Sequence, residues 1–177
     1  MLRPVAPSND LDGKGLLPVS EKRYTVLFLC TGNSARSILA EGLCNHLGGG
    51  RFTAYSAGSK PKGAVHPLAL ETLQRQGLST SGLRSKNWEE FTRPGAPPID
   101  FIFTLCDDAA AEPCPIWPGH PVTAHWGLPD PAAVDGDDAT RRRAFEETFR
   151  QIHAHLAPFT QLPDAALDQR LAPTSTT

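Results

Sequence analysis

The chain reads as an α/β protein built on one doubly wound parallel sheet. Three observations predict this. Short apolar runs alternate with helical patterns along the 177 residues. Two of those runs, 26–29 and 99–105, lead straight into a cysteine at a loop. The last helical pattern carries its apolar residues as a single stripe. Strands that alternate with helices close into parallel sheets covered on their faces.

Residues 1–20 are rich in Pro, Gly, Asp and Ser and show no periodicity, so they read as a flexible lead. The first strand spans 24–29. Its core, Val26, Leu27, Phe28 and Leu29, is unbroken by polar residues, as in a strand buried on both faces. A helix follows over 37–47, with Ile38, Leu39, Leu43 and Leu47 on one face, and Gly48, Gly49 and Gly50 end it. The second strand is 52–56. A second helix, 67–76, begins at a proline and stops at Gly77. Residues 78–98 are mixed, with Trp88 packing a short helix. The third strand is 99–105 and the fourth 122–126. Phe145, Phe149, Ile152 and Leu156 recur at helical spacing and predict a final amphipathic helix. The domain therefore spans 21–157, and 158–177 read as a frayed tail. There is no internal repeat.

The chemistry concentrates between the first strand and the first helix. Cys30 ends the strand. Thr31, Gly32, Asn33, Ser34 and Ala35 form a small loop, and Arg36 and Ser37 open the helix. Gly32 and Asn33 tolerate positive φ, so successive backbone N–H groups can face one centre. A helix N-terminus adds free donors and partial positive charge. Arg36 adds a planar fork that matches two oxygens of a tetrahedral anion. The same field favours the anionic form of the Cys30 sulfur, which is the nucleophile. One loop thus binds an oxyanion and aims a sulfur at its central atom. A buried structural cysteine in an ordinary strand–turn–helix is the bland alternative.

The run Cys30-Thr31-Gly32-Asn33-Ser34-Ala35-Arg36-Ser37 resembles the signature loop of the low-molecular-weight protein tyrosine phosphatase superfamily. Features further along, over residues 23–157, resemble its arsenate reductase branch. The resemblance implies a flavodoxin-like, four-stranded parallel sheet with helices on both faces. It places the oxyanion loop at the sheet's carboxyl edge and implies a covalent Cys30–oxyanion intermediate. It also sets the first and third strands side by side, so that Cys106, at the end of the third, can approach Cys30. Cys114 follows in a segment punctuated by Pro113 and Pro115. A continuous helix would hold Cys106 and Cys114 roughly 12 Å apart, too far for a disulfide, and the prolines prevent one. A loop that lets the two thiols meet is the reading that follows.

The implied reaction is reduction of arsenate to arsenite through a relay of Cys30, Cys106 and Cys114. Phosphate and sulfate are the substrate's analogues. No cofactor is bound, and the electrons come from thioredoxin or from glutathione with glutaredoxin; the latter route can use Cys106 and spare Cys114. Asp130, in Trp126-Gly127-Leu128-Pro129-Asp130-Pro131, matches the family's general acid. The phosphatase branch carries aromatic residues just after it; here Ala132, Ala133 and Val134 stand there, which favours a small inorganic anion. Asn33, Glu41 and Ser56 fall where some relatives hold a potassium ion. The alternatives are a protein tyrosine phosphatase, with Cys106 and Cys114 as bystanders, and a non-enzymatic oxyanion or redox sensor.

Other residues exclude more than they assign. Cys44 reads as helix core. His120 and His125 lie near two cysteines, but the spacing does not resemble a standard zinc ribbon or finger. His46, His66, His153 and His155 read as surface or helix positions. A net charge of −2 gives no case for nucleic acid or a membrane surface. Arg141, Arg142 and Arg143 read as a solvated helix face. No apolar run reaches membrane-spanning length, and the N-terminus lacks a secretory signal. Redox-active free thiols suit a reducing cytoplasm.

Overall fold

Strand β1 (Tyr24–Leu29) takes the centre of the sheet because it is the run with no polar residue at its core. Residues Val26, Leu27, Phe28 and Leu29 are fully buried in the computed structural model, which describes residues 22–172. The flexible lead expected over 1–20 lies outside the described residues. Around β1 stand β2 (Phe52–Ala57), β3 (Phe101–Thr104) and β4 (Val122–His125), all parallel, in the order β2-β1-β3-β4. The helices are α1 (Arg36–Leu47), α2 (Pro67–Arg75), α3 (Asp107–Ala111), α4 (Asp138–Thr160) and α5 (Asp164–Leu171). Two 3-10 turns, Trp88–Phe91 and Pro131–Ala133, complete the described elements. The sheet is the expected low-molecular-weight-phosphatase-like, flavodoxin-like one.

Side chains alternate across the sheet, as strand geometry requires. Val26, Phe28, Phe101 and Phe103 face the helical layer, where Leu39 and Leu43 of α1, Leu73 of α2 and Ile152 and Leu156 of α4 join one core. Leu27, Leu29 and Ile102 face the other way and pack against Phe91 and Trp117. This second layer is thin: a 3-10 turn and a loop tryptophan, with Trp88 edge-on to Trp117.

Register places the site. Leu29 pairs with Ala57 on one side and Thr104 on the other. Cys30, Gly58 and Leu105 therefore emerge side by side at the carboxyl edge, where ligands bind in open parallel sheets.

The tail expected over 158–177 is corrected as far as residue 172; the rest lies outside the described residues. α4 runs on to Thr160, and α5 follows with Leu167 fully buried. Arg51 donates to the Thr160 and Leu162 carbonyls and pairs with Asp164 at 2.7 Å. The Tyr24 hydroxyl bonds Asp168, which also pairs with Lys22. Both anchors sit on the far side of the sequence from the segment they hold. Pro163, one residue before α5, hides the short helix from a periodicity reading.

Candidate active site

The loop after β1 closes on itself as a cradle. Asn33 takes the left-handed conformation, φ 43°. Gly32 does not, and its lack of a side chain serves another end: an added Cβ would come within 3.2 Å of the Lys62 side chain. Helix α1 begins at Arg36 with no side-chain cap on its N-terminus. Helices α2 and α4 are capped by side chains, His66 and Asp137, while α5 is uncapped like α1. The first N–H groups of α1 are thus left for a ligand.

Inside the cradle Cys30 is 4% exposed. Its Sγ lies 2.9 Å from the Ser37 hydroxyl. Asn33 donates to that hydroxyl oxygen at 2.8 Å and to Ser56 at 2.9 Å. Ser37 therefore has its proton free for the sulfur. Ser56 in turn donates to Glu41 at 2.6 Å. The Asn33 carbonyl oxygen accepts the Lys86 backbone N–H at 2.8 Å. Burial pushes the Glu41 carboxyl up and the Lys86 ammonium down from their ordinary values, each opposed by the other's charge.

Above the sulfur is a cavity of about 200 Å³ lined by Cys30, Thr31, Gly32, Ser34, Ala35, Arg36, Lys60, Lys62, Asp108 and Asp130. Arg36 donates to the Leu128 carbonyl at 2.9 Å, which ties its fork to the loop carrying Asp130, and stands 3.8 Å from the Asp130 carboxylate. Asp130 is fixed by accepting the Ala132 N–H at 3.0 Å. Lys60 and Lys62 arrive because their backbone N–H groups bond the Thr31 and Gly32 carbonyls. Sequence reasoning missed both, together with Asp108; no local pattern marks a segment that comes to the loop by backbone pairing. Among the described residues no aromatic ring lines the cavity.

Cys106 lies next to Cys30. The two, with Ala109, form one packed cluster at the carboxyl edge. The Cys106 Sγ caps the five-residue helix α3 by accepting the Ala109 N–H at 3.4 Å, and stands 3.6 Å from the Thr31 hydroxyl. Cys114 is apart. It is exposed and borders a different cavity, of about 400 Å³, with Trp117, Ala110 and His125. All four cysteines are free thiols. Cys44 is fully buried on α1, and burial alone pushes its thiol up to about 12, so it is inert packing. His125 bonds Thr104 and Asp107, tying the edge strand to the start of α3. Among the described residues no group of three or more His, Cys, Asp or Glu is placed to hold a metal ion.

One glycine that the sequence did not single out is decisive. A Cβ on Gly58 would fall 2.4 Å from the Thr31 carbonyl oxygen and 2.7 Å from that of Cys30. Both obstacles are backbone. We expect Gly58→Ala to cost about 1–3 kcal/mol of stability by forced overpacking. It should also weaken phosphate binding far more than a surface His153→Ala control on α4; chemical denaturation and a phosphate titration measure the two effects.

The comparisons with known proteins agree with this geometry. Residues 25–171 match the family model described as low molecular weight phosphotyrosine protein phosphatase. An arsenate reductase of Shouchella clausii is 35% identical over 136 residues, covering 77% of this chain and 94% of that protein. A solved arsenate reductase in the phosphate binding state superposes with a TM-score of 0.63 at 28% identity, over 77% of this chain and 96% of that one. A thioredoxin-dependent arsenate reductase of Corynebacterium glutamicum gives 0.56 at 28% identity, over 81% of this chain and 64% of that one. With Cys30 and Arg36 lining one cavity at the carboxyl end of β1, and a family match that runs through α5, this chain belongs to the low molecular weight phosphotyrosine protein phosphatase family.

Proposed function

We propose that the protein reduces arsenate to arsenite, with Cys30 as nucleophile and Cys106 and Cys114 as the relay that supplies the electron pair. The observation that carries this reading is the burial of Cys106 against Cys30 in one cluster. Hydrolysis of a phosphate ester needs no second thiol there. The arsenate reductases among the relatives support the substrate. The aromatic-free cavity supports a small anion over an aryl phosphate.

Arsenate sits in the cradle with its oxygens on the loop N–H groups and the Arg36 fork. The Cys30 thiolate attacks arsenic. An oxygen departs as water, taking its proton from Asp130, which faces the cavity beside Arg36. The Cys106 thiolate then attacks the Cys30 sulfur. A sulfur–sulfur bond forms, the sulfur–arsenic bond breaks, and its electron pair leaves with arsenic as arsenite. The Cys106 sulfur is the cap of α3, so this bond withdraws the cap from a helix of five residues. So short a helix is marginal without it. Its loosening brings Cys114 to Cys106; the Cys114 thiolate attacks, Cys30 is freed, and the oxidation rests in a Cys106–Cys114 disulfide. Exposed Cys114 is where an external dithiol begins its repair.

The thioredoxin-dependent neighbour favours thioredoxin as that donor over glutathione with glutaredoxin. Free thiols working in turn suit a reducing compartment such as the cytoplasm. No described helix is long and apolar enough to cross a membrane. The test is arsenate-dependent NADPH oxidation with thioredoxin and its reductase, run beside the same assay with glutathione and glutaredoxin. Turnover with thioredoxin and little with glutaredoxin is the expected result. Turnover with neither, alongside hydrolysis of p-nitrophenyl phosphate, would make the protein a phosphatase.

A further inference from the structure

Beneath the cradle the chain buries a carboxylate and answers it with its own cation. The Glu41 side chain is 9% exposed and that of Lys86 4%, with Lys86 Nζ 3.9 Å from Glu41 Oε2. The ammonium also donates to the Arg84 carbonyl at 2.8 Å, which fixes its place. From Glu41 a run of hydrogen bonds passes through Ser56, Asn33 and Ser37 to the Cys30 sulfur. Lys86 enters that run twice, because its backbone N–H also holds the Asn33 carbonyl oxygen. A buried charge left alone is costly, so the partner of Glu41 decides whether this brace holds its shape.

Asn33, Glu41 and Ser56 do meet here, as the expected potassium site required. They do not fit the ion. Potassium needs oxygen lone pairs turned to one centre. Asn33 presents its NH₂ group to Ser56, and its carbonyl oxygen is engaged by Lys86 N–H. The Ser56 hydroxyl donates to Glu41. The carboxylate faces an ammonium, which is close to potassium in size and equal in charge.

We propose that Lys86 is a positioning residue that serves as the resident cation of this brace: its side-chain ammonium neutralises Glu41 where an alkali metal would otherwise stand, so the cradle keeps its shape without potassium. The proposal rests on the reading of the cradle as an anion site. It does not depend on arsenate being reduced.

The test uses the full chain, inorganic phosphate as the probe, and potassium chloride against choline chloride at equal ionic strength. For the wild type, the melting temperature and the phosphate Kd should be the same in both salts. Potassium-specific stabilisation or tightening of the wild type overturns the proposal. Lys86→Ser removes the ammonium and leaves room and an oxygen for a metal ion. It should bind phosphate about tenfold or more weakly in choline chloride, the scale lost when a residue supporting a site is removed, and recover in potassium chloride. Wild-type affinity in choline chloride, or recovery no better in potassium than in choline, overturns the proposal; a merely structural lysine would show no such rescue. If Lys86→Ser does not fold in either salt, the wild-type comparison decides. If the wild type binds no phosphate in either salt, the anion-site reading fails, and the melting comparison still judges Lys86.

Discussion

Cys30→Ser will lose arsenate reduction and any p-nitrophenyl phosphate hydrolysis alike, by a factor on the order of 10⁴ or more, the scale on which a covalent nucleophile is missed. The loss should be confined to chemistry. The serine hydroxyl is close to the thiol in size and can keep the contact with Ser37, which holds Cys30 Sγ at 2.9 Å. The loop N–H groups, Arg36 and Asn33 are untouched. Phosphate should therefore bind the variant about as tightly as the wild type, since the groups that hold it are kept. The measurement pairs initial rates in both assays with a phosphate titration. Reduction that survives the substitution would remove Cys30 from the mechanism. A collapse of phosphate binding would mean that Cys30 shapes the cradle rather than attacks within it.

How much of this was legible in the sequence follows from distance along the chain. The cradle is local: residues 30–37 are one strand end, one loop and one helix start, and their types alone point to an anion site. The parallel sheet was equally plain, because strands and helices each declare their period within a few residues. Long-range constraints were silent. Gly58 looks like any glycine after a strand; it matters because β2 presses it onto the carbonyls of Cys30 and Thr31. Lys60 and Lys62 sit in an ordinary Pro-Gly loop until two backbone bonds carry them to the cavity. Lys86 looks like a solvated charge and is instead among the most buried polar residues, because Glu41 lies across from it. The start of α4 escaped for a different reason. Its apolar stripe begins at Phe145, but the helix begins at Asp138 under an Asp137 cap that bonds Thr140 N–H at 2.8 Å.

The second large effect separates the relay from the cradle. Cys106→Ser should abolish catalytic arsenate reduction while p-nitrophenyl phosphate hydrolysis, whatever its wild-type level, stays within about threefold, because the hydrolytic step uses only the cradle. Serine makes this a clean experiment. The Cys106 sulfur caps α3 by accepting the Ala109 N–H, and a serine oxygen is a better N-cap than sulfur. The helix and the packing around Ala109 are thereby preserved, and only a sulfur able to take over the Cys30 bond is lost. Cys114→Ser should fail one step later: with thioredoxin it yields about one arsenite per chain and then stops, leaving a Cys30–Cys106 disulfide that mass spectrometry of the unreduced protein detects. The order of the two failures carries the relay. No arsenite at all from Cys106→Ser, with a single equivalent from Cys114→Ser, follows from electrons passing from Cys106 before Cys114. A single equivalent from Cys106→Ser would mean that another thiol reaches Cys30 first. Steady turnover by Cys114→Ser with thioredoxin would mean that the donor attacks the Cys30–Cys106 bond directly, and that the exposed cysteine beside Trp117 takes no part.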